Sequence, residues 1–202
     1  MNKLMRFFLI LILVIILHVP ASPCFAAGFT KEAIEFEARS LMNRIEITRD
    51  VSYRLKNRLS AALKDSSLSE TIAARGVGAV FVYAAGEGGI LIKYMGGDGL
   101  VSFDGGRQAA PFDLGCLSFG MMIGGSAQWG IGLVIGRADE KSFGGWYKGG
   151  TRTATAWEAA TGAILYVSRT MEDRLEEIYI VTTGRGLSAG LGSVNMNIAP
   201  AW

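Results

Sequence analysis

Gly186-Leu187-Ser188-Ala189-Gly190 has the G-x-S-x-G spacing of a serine hydrolase elbow, where a strained strand-to-helix turn lifts a nucleophilic hydroxyl toward a base. The base is missing. The chain of 202 residues holds one histidine, His18, and it lies in an apolar leader. Without an imidazole nothing is placed to take the serine proton, and the flanks of the motif read strand–turn–strand. Two glycine clusters, Gly86-Glu87-Gly88-Gly89 and Gly96-Gly97-Asp98-Gly99, have the density of phosphate cradles. Neither carries the lysine and hydroxyl of a P-loop or opens a helix, so both read as hairpin turns. Cys116 sits between Gly115 and Leu117 with no base or cation beside it to lower its pKa. It reads as a small buried hydrophobe. Glu87, Asp98, Asp104 and Asp113 could supply the two acids of a glycosidase, but all four fall near expected turns, where solvated acids sit. One cysteine and no histidine beyond the leader leave only scattered carboxylates for a metal. The expectation is a protein that is not an enzyme and needs no metal or cofactor.

The leader has three parts. Lys3 and Arg6 precede a continuous apolar run, Phe7–Val19, and Cys24-Phe25-Ala26 offers small residues for cleavage. This is the pattern of a secretory signal over residues 1–26. The run is shorter than the roughly 20 residues that span a bilayer. The expected location is periplasmic or secreted after cleavage, with an inner-membrane anchor through an uncleaved 7–19 segment as the alternative. The formal charge of +2 belongs to Lys3 and Arg6. The remainder is neutral, so no overall basic field attracts nucleic acid. Cleavage also removes Cys24 and leaves Cys116 without a disulfide partner.

Charge and glycine divide the rest. Residues 27–75 hold nine basic side chains, seven acidic ones and one glycine, whereas residues 76–202 hold 26 of the 27 glycines. Thr30 is an N-cap candidate for a helix from Phe29 to about Lys64, with Glu32, Glu35 and Glu37 near its positive end. Ile34, Ala38, Leu41 and Ile45, then Val51, Leu55, Leu59 and Leu63, fall at helical spacing. A break is expected near Glu46–Asp50, and a short helical turn over residues 69–74. Arg44, Arg54, Lys56 and Arg58 form a basic face, which reads either as solvated or as a membrane-surface contact.

From Gly76 onward, short runs rich in Val, Ile, Phe and Tyr are separated by glycines every eight to twelve residues. Such runs suit pleated, half-buried strands, and the glycines suit turns that need positive φ. The pattern predicts an α+β fold. It is an antiparallel β-sandwich or barrel of about nine strands with the helical region 27–75 packed on the glycine-rich region 76–202 as one domain. Gly144–Gly150 and Gly184-Arg185-Gly186 are expected turns, and Arg169–Glu177 is a helical turn or hairpin tip.

The order of motifs then points further. A polar helix leads to Ala73-Ala74-Arg75-Gly76-Val77-Gly78-Ala79-Val80-Phe81 and a hairpin ending Gly97-Asp98-Gly99-Leu100-Val101. Ala110-Pro111-Phe112, Ser118-Phe119-Gly120-Met121-Met122-Ile123-Gly124 and Gly184-Arg185-Gly186-Leu187-Ser188-Ala189-Gly190-Leu191 follow. This resembles the SYLF-domain family of lipid-binding modules over about residues 40 to 198. Arg107-Gln108-Ala109-Ala110 stands where the family has Trp-Ser before the proline, and Met122 replaces a glutamine, so the resemblance is to a divergent bacterial exported member. It implies a β-rich core with packed helices, and phospholipid or membrane-surface binding without catalysis. By position it carries Arg75 and Arg185 as headgroup contacts. Lys93, a cation on an apolar strand, is added from the sequence alone. An envelope protein is the alternative partner, in a structural or protein-interaction role, and no nucleic acid is expected.

Overall fold

The computed structural model describes residues 28–89, 92–104, 108–119, 121–156, 159–161, 164–171 and 174–202. The leader and its cleavage point lie outside them. Three helices come first: α1 (Lys31–Arg44), α2 (Arg49–Ala62) and α3 (Ser66–Arg75). Thr30 caps α1 as expected, its Oγ1 accepting the Ala33 N–H at 3.2 Å. The helix expected from Phe29 to about Lys64 is broken at residues 45–48, overlapping the break expected near Glu46–Asp50, and Glu46 there takes a left-handed conformation with φ 55°. The helical turn expected at 69–74 is a ten-residue helix. The Asp65 carboxylate accepts the Leu68 N–H at its start, and Gly76 ends it at φ 74°. That glycine is required, because a side chain is strained in the left-handed region.

Eight antiparallel strands follow among the described residues: β1 (Val77–Gly88), β2 (Ile92–Phe103), β3 (Ala110–Phe119), β4 (Met121–Ile135), β5 (Gly145–Ala156), β6 (Ala159–Thr161), β7 (Ile164–Met171) and β8 (Arg174–Pro200). β8 is the spine. β4 pairs with its residues 177–189 and β3 with 194–200 along one edge. β7 and β5 divide the other edge. The β3–β8 pairing closes the series β3-β2-β1-β4-β8 into a curled, barrel-like ring.

Several expected turns are strand. Gly184-Arg185-Gly186 runs straight through β8, Gly145–Gly150 opens β5, and Gly96–Gly99 lies inside β2. Eight strands stand where about nine were expected, because glycine-separated runs merge within β2 and within β8. Within Arg169–Glu177 the described residues pair as antiparallel strands, with Met171 opposite Arg174.

Alternation along β1 buries both faces of that strand. Phe81 and Tyr83 enter the inner core with Phe103, Phe112, Phe143, Tyr147, Met196 and Ile198. Val80 and Val82 join Ile131, Leu133, Tyr179 and Val181 beneath Ile34, Leu41, Leu55, Leu59 and Leu68 of the helices. Helices and sheet therefore share one apolar layer. Inside the ring the rings of Phe81, Phe112 and Phe143 meet edge to face, with centroids 5.3–5.6 Å apart, a geometry favoured by the aromatic quadrupole. Phe143 arrives from the 137–144 loop. There the Asp139 carboxylate accepts the N–H groups of Lys141 and Ser142 and folds the segment into a local turn. No helix among the described residues is long and apolar enough to cross a membrane.

Candidate functional site

The three cations singled out in the sequence do not converge. Arg75 ends α3 beside the start of β1, and its Nη1 donates to Glu177 Oε2 at 2.5 Å. It is a tie between the helix layer and β8. Lys93 lies near the opposite end of the β1–β2 hairpin, opposite Ser118 on β3. That is about 35 Å away at a strand rise of ~3.3 Å. Its side chain lies outside the described residues. Arg185 is exposed on β8, opposite Ala127 of β4.

Arg185 belongs to a second grouping. It faces α2, where its Nη2 stands 3.7 Å from Asp50 Oδ2. Arg54, one helical turn beyond Asp50, places its Nη2 2.8 Å from the same oxygen. A further turn along α2, Arg58 Nη1 donates to the Thr182 carbonyl at 2.8 Å. Part of the helix's basic face thus bears on β8, as neither sequence reading foresaw. Burial, with the Arg54 charge beside it, lowers the Arg58 pKa below its ordinary value. Thr183 lies on β8 between Thr182 and Arg185's neighbour, opposite Trp129, and is 1% exposed. Its Oγ1 has no hydrogen-bond partner.

The outer face of β2, β3, β8 and β5 carries a different surface. The helices pack on β1, β2, β4 and β8, and among the described residues the far part of the ring stays exposed. There Tyr94 pairs directly with Leu117, Leu117 with Asn195, and Asn195 with Lys148. One residue pair along, Gly96, Gly115, Asn197 and Trp146 form the adjoining row. Tyr94 is 59% exposed, Ile92 58%, Trp146 58% and Leu117 43%. Their strand neighbours Met95, Cys116 and Tyr147 are buried in the ring, as alternation requires. A Cβ on Gly115 would meet nothing within 4 Å, so the backbone between the aromatic side chains is open. The stripe ends on a cation at Lys148, which is exposed. On its other flank Asp98 and Asp113 face each other across β2–β3, both exposed.

The acids do not gather. Glu87 Oε2 accepts from Ser126 Oγ at 2.8 Å on the β1–β4 ladder, away from the Asp98–Asp113 pair. Among the described residues no group of three or more His, Cys, Asp or Glu is arranged to hold a metal ion. The Cys116 thiol is buried, the place its apolar run predicts.

Trp146, Tyr94, Leu117 and Lys148 were not singled out by sequence reasoning. The signal was present in the alternation Trp146-Tyr147-Lys148, but flanking glycines made that segment read as a turn.

No family model matches the chain, and no curated protein matches it. Among solved structures it is similar to an uncharacterized beta-barrel-like protein from Brucella abortus, at 15% identity over 88% of this chain and 98% of that one, with a TM-score of 0.44. It is also similar to the virulence-associated protein VapD from Rhodococcus equi, at 14% identity over 60% of this chain and 98% of that one, with a TM-score of 0.37.

Proposed function

We propose that this protein is an exported, non-catalytic module that binds phospholipid surfaces in the cell envelope, as a divergent member of the SYLF-domain family. The observation that carries the reading is the bare outer face, where Ile92, Tyr94, Leu117 and Trp146 stand exposed together with Lys148 at their edge. Tyrosine and tryptophan have an apolar body and a polar tip, which suits the zone between headgroups and acyl chains. A contiguous apolar patch on a soluble face marks an interaction surface. Lys148 would meet a headgroup phosphate as a point charge.

A second reading has its own observation. The Asp98–Asp113 pair beside the stripe would repel an anionic bilayer and attract a basic side chain, which favours an envelope protein as partner.

Vesicle flotation separates the two. The exported protein should float with phosphatidylcholine–phosphatidylglycerol vesicles, and Trp146 emission should shift to the blue. Substituting Tyr94→Ser and Leu117→Ser together should abolish flotation while the melting temperature stays within a few degrees. Wild-type protein left wholly in the unbound fraction would discard the lipid reading. A variant that floats as well as the wild type would remove the stripe from it.

A further inference from the structure

Two guanidinium groups, Arg54 and Arg185, meet over one carboxylate, Asp50, between α2 and β8, and Arg58 lies beside Arg54 with its Nη1 on the Thr182 carbonyl. The local charge is +2 with Asp50 in place. On the strand side Arg58 donates to the Thr182 carbonyl at 2.8 Å. Arg185 approaches Asp50 at 3.7 Å, beyond hydrogen-bonding distance. Asp50 is itself 60% exposed on its side chain, so it can rotate into solvent without leaving a buried charge behind. Two residues before Arg185 on β8, the Thr183 hydroxyl is 1% exposed and has no hydrogen-bond partner. Thr183, Val181 and Arg185 alternate onto the same face of β8, and Val181 packs against the helix-side core. Thr183 is therefore aimed at the layer that holds the arginines. A buried hydroxyl without a partner is costly, and arginine forks match tetrahedral oxyanions in two-pronged geometry.

We propose that the space between α2 and β8 is a binding site for a phosphate monoester, with Arg54 and Arg185 as the gripping forks. Arg58 adds charge behind them and Thr183 donates its hydroxyl from the floor. Asp50 is a placeholder that the ligand displaces. With Asp50 turned out to solvent the site carries three positive charges, which favours a doubly charged phosphate over a carboxylate. The phosphate can be soluble or carried on a lipid, and the site does not depend on the bare outer face.

The test is calorimetric titration of the full chain with inorganic phosphate and with glycerol 3-phosphate, beside flotation with phosphatidylcholine vesicles containing phosphatidic acid. Arg185→Ala should weaken phosphate binding about tenfold, the loss of one charge-assisted contact. Asp50→Asn should tighten it several-fold, because the competitor is weakened. A purely structural salt bridge would give no such gain. Thr183→Val should weaken binding and, without ligand, raise the melting temperature. Binding of the soluble phosphates alone identifies a soluble ligand. Binding of the vesicles alone, with the same variant order, identifies a headgroup. The Tyr94→Ser, Leu117→Ser variant should titrate with phosphate like the wild type even where it no longer floats. Absence of binding to every phosphate form, equal affinity in wild type and Arg185→Ala, or weaker binding in Asp50→Asn would overturn the proposal.

Discussion

Phe81 of β1 and Gly132 of β4 face each other in the ladder, and the Phe81 ring occupies the space where a Cβ on Gly132 would stand. Tyr83 stands in the same relation to Gly130, and Phe112 of β3 to Gly99 of β2. Each ring lies over the glycine directly opposite. Aromatic cover of this kind restores packing and shields the backbone where the glycine has no side chain of its own. These glycines therefore serve the core, and positive φ among the described glycines is confined to Gly76, Gly89, Gly136 and Gly145.

The relationship separates two kinds of strand glycine. Gly132→Ala should destabilise the protein by about 1–3 kcal/mol, because the Phe81 ring must leave its place. Gly115→Ala, with nothing within 4 Å, should be neutral or stabilising by up to ~1 kcal/mol. Urea unfolding of the two variants checks the contrast, and equal losses would contradict it.

Arg75 is expected to be a structural cation. Its ion pair with Glu177 is about one-third exposed on each side. Arg75→Ala should lower stability by less than about 1 kcal/mol, and by less still in high salt. Vesicle flotation should be unchanged. Flotation lost in a variant that melts like the wild type would return Arg75 to the binding surface.

Tyr83 should resist ionisation. Burial raises its pKa, and the nearby Cys116 and Glu87 charges raise it further. Its hydroxyl donates to Gln128 Oε1 at 3.2 Å inside the ring. The fold favours the neutral phenol, so this contribution to stability is complete below the ordinary tyrosine pKa of about 10. It falls as the pH rises above that value, because the unfolded chain releases the proton first. An absorbance titration should show phenolate absorbance from Tyr83 appearing only with unfolding. In Tyr83→Phe the amplitude of this late step should fall by one phenolate.

Much of the fold can be read along the chain. Thr30 caps the first helix, the i, i+3, i+4 spacing of Ile34, Ala38 and Leu41 lays one face on the sheet, and the β-branched runs after Gly76 form antiparallel strands. These signals are local: a capping hydroxyl, a helical period and an alternating period each act within a few residues. The same reading failed at Gly96–Gly99, Gly145–Gly150 and Gly184–Gly186, where glycine in a strand was taken for a turn. At Gly97 and Gly99 the strand is decided by what packs across it from a neighbouring strand, Ala85 against Gly97 and Phe112 over Gly99.

The candidate sites divide in the same way. Composition by itself set the expectation against histidine-based catalysis, and the alternation of apolar residues marked strand faces for burial. Which outer face would be covered was decided only by the fold. Helices α1–α3 reach β1, β4 and parts of β2 and β8, leaving Tyr94, Leu117 and Trp146 exposed. Arg54 and Arg185 are likewise far apart in sequence and meet over Asp50 because β8 passes beneath α2. Residue type and short-range spacing set which side chains are apolar or charged. Sheet closure and helix placement set which of them touch, because those contacts depend on chain segments more than a hundred residues apart.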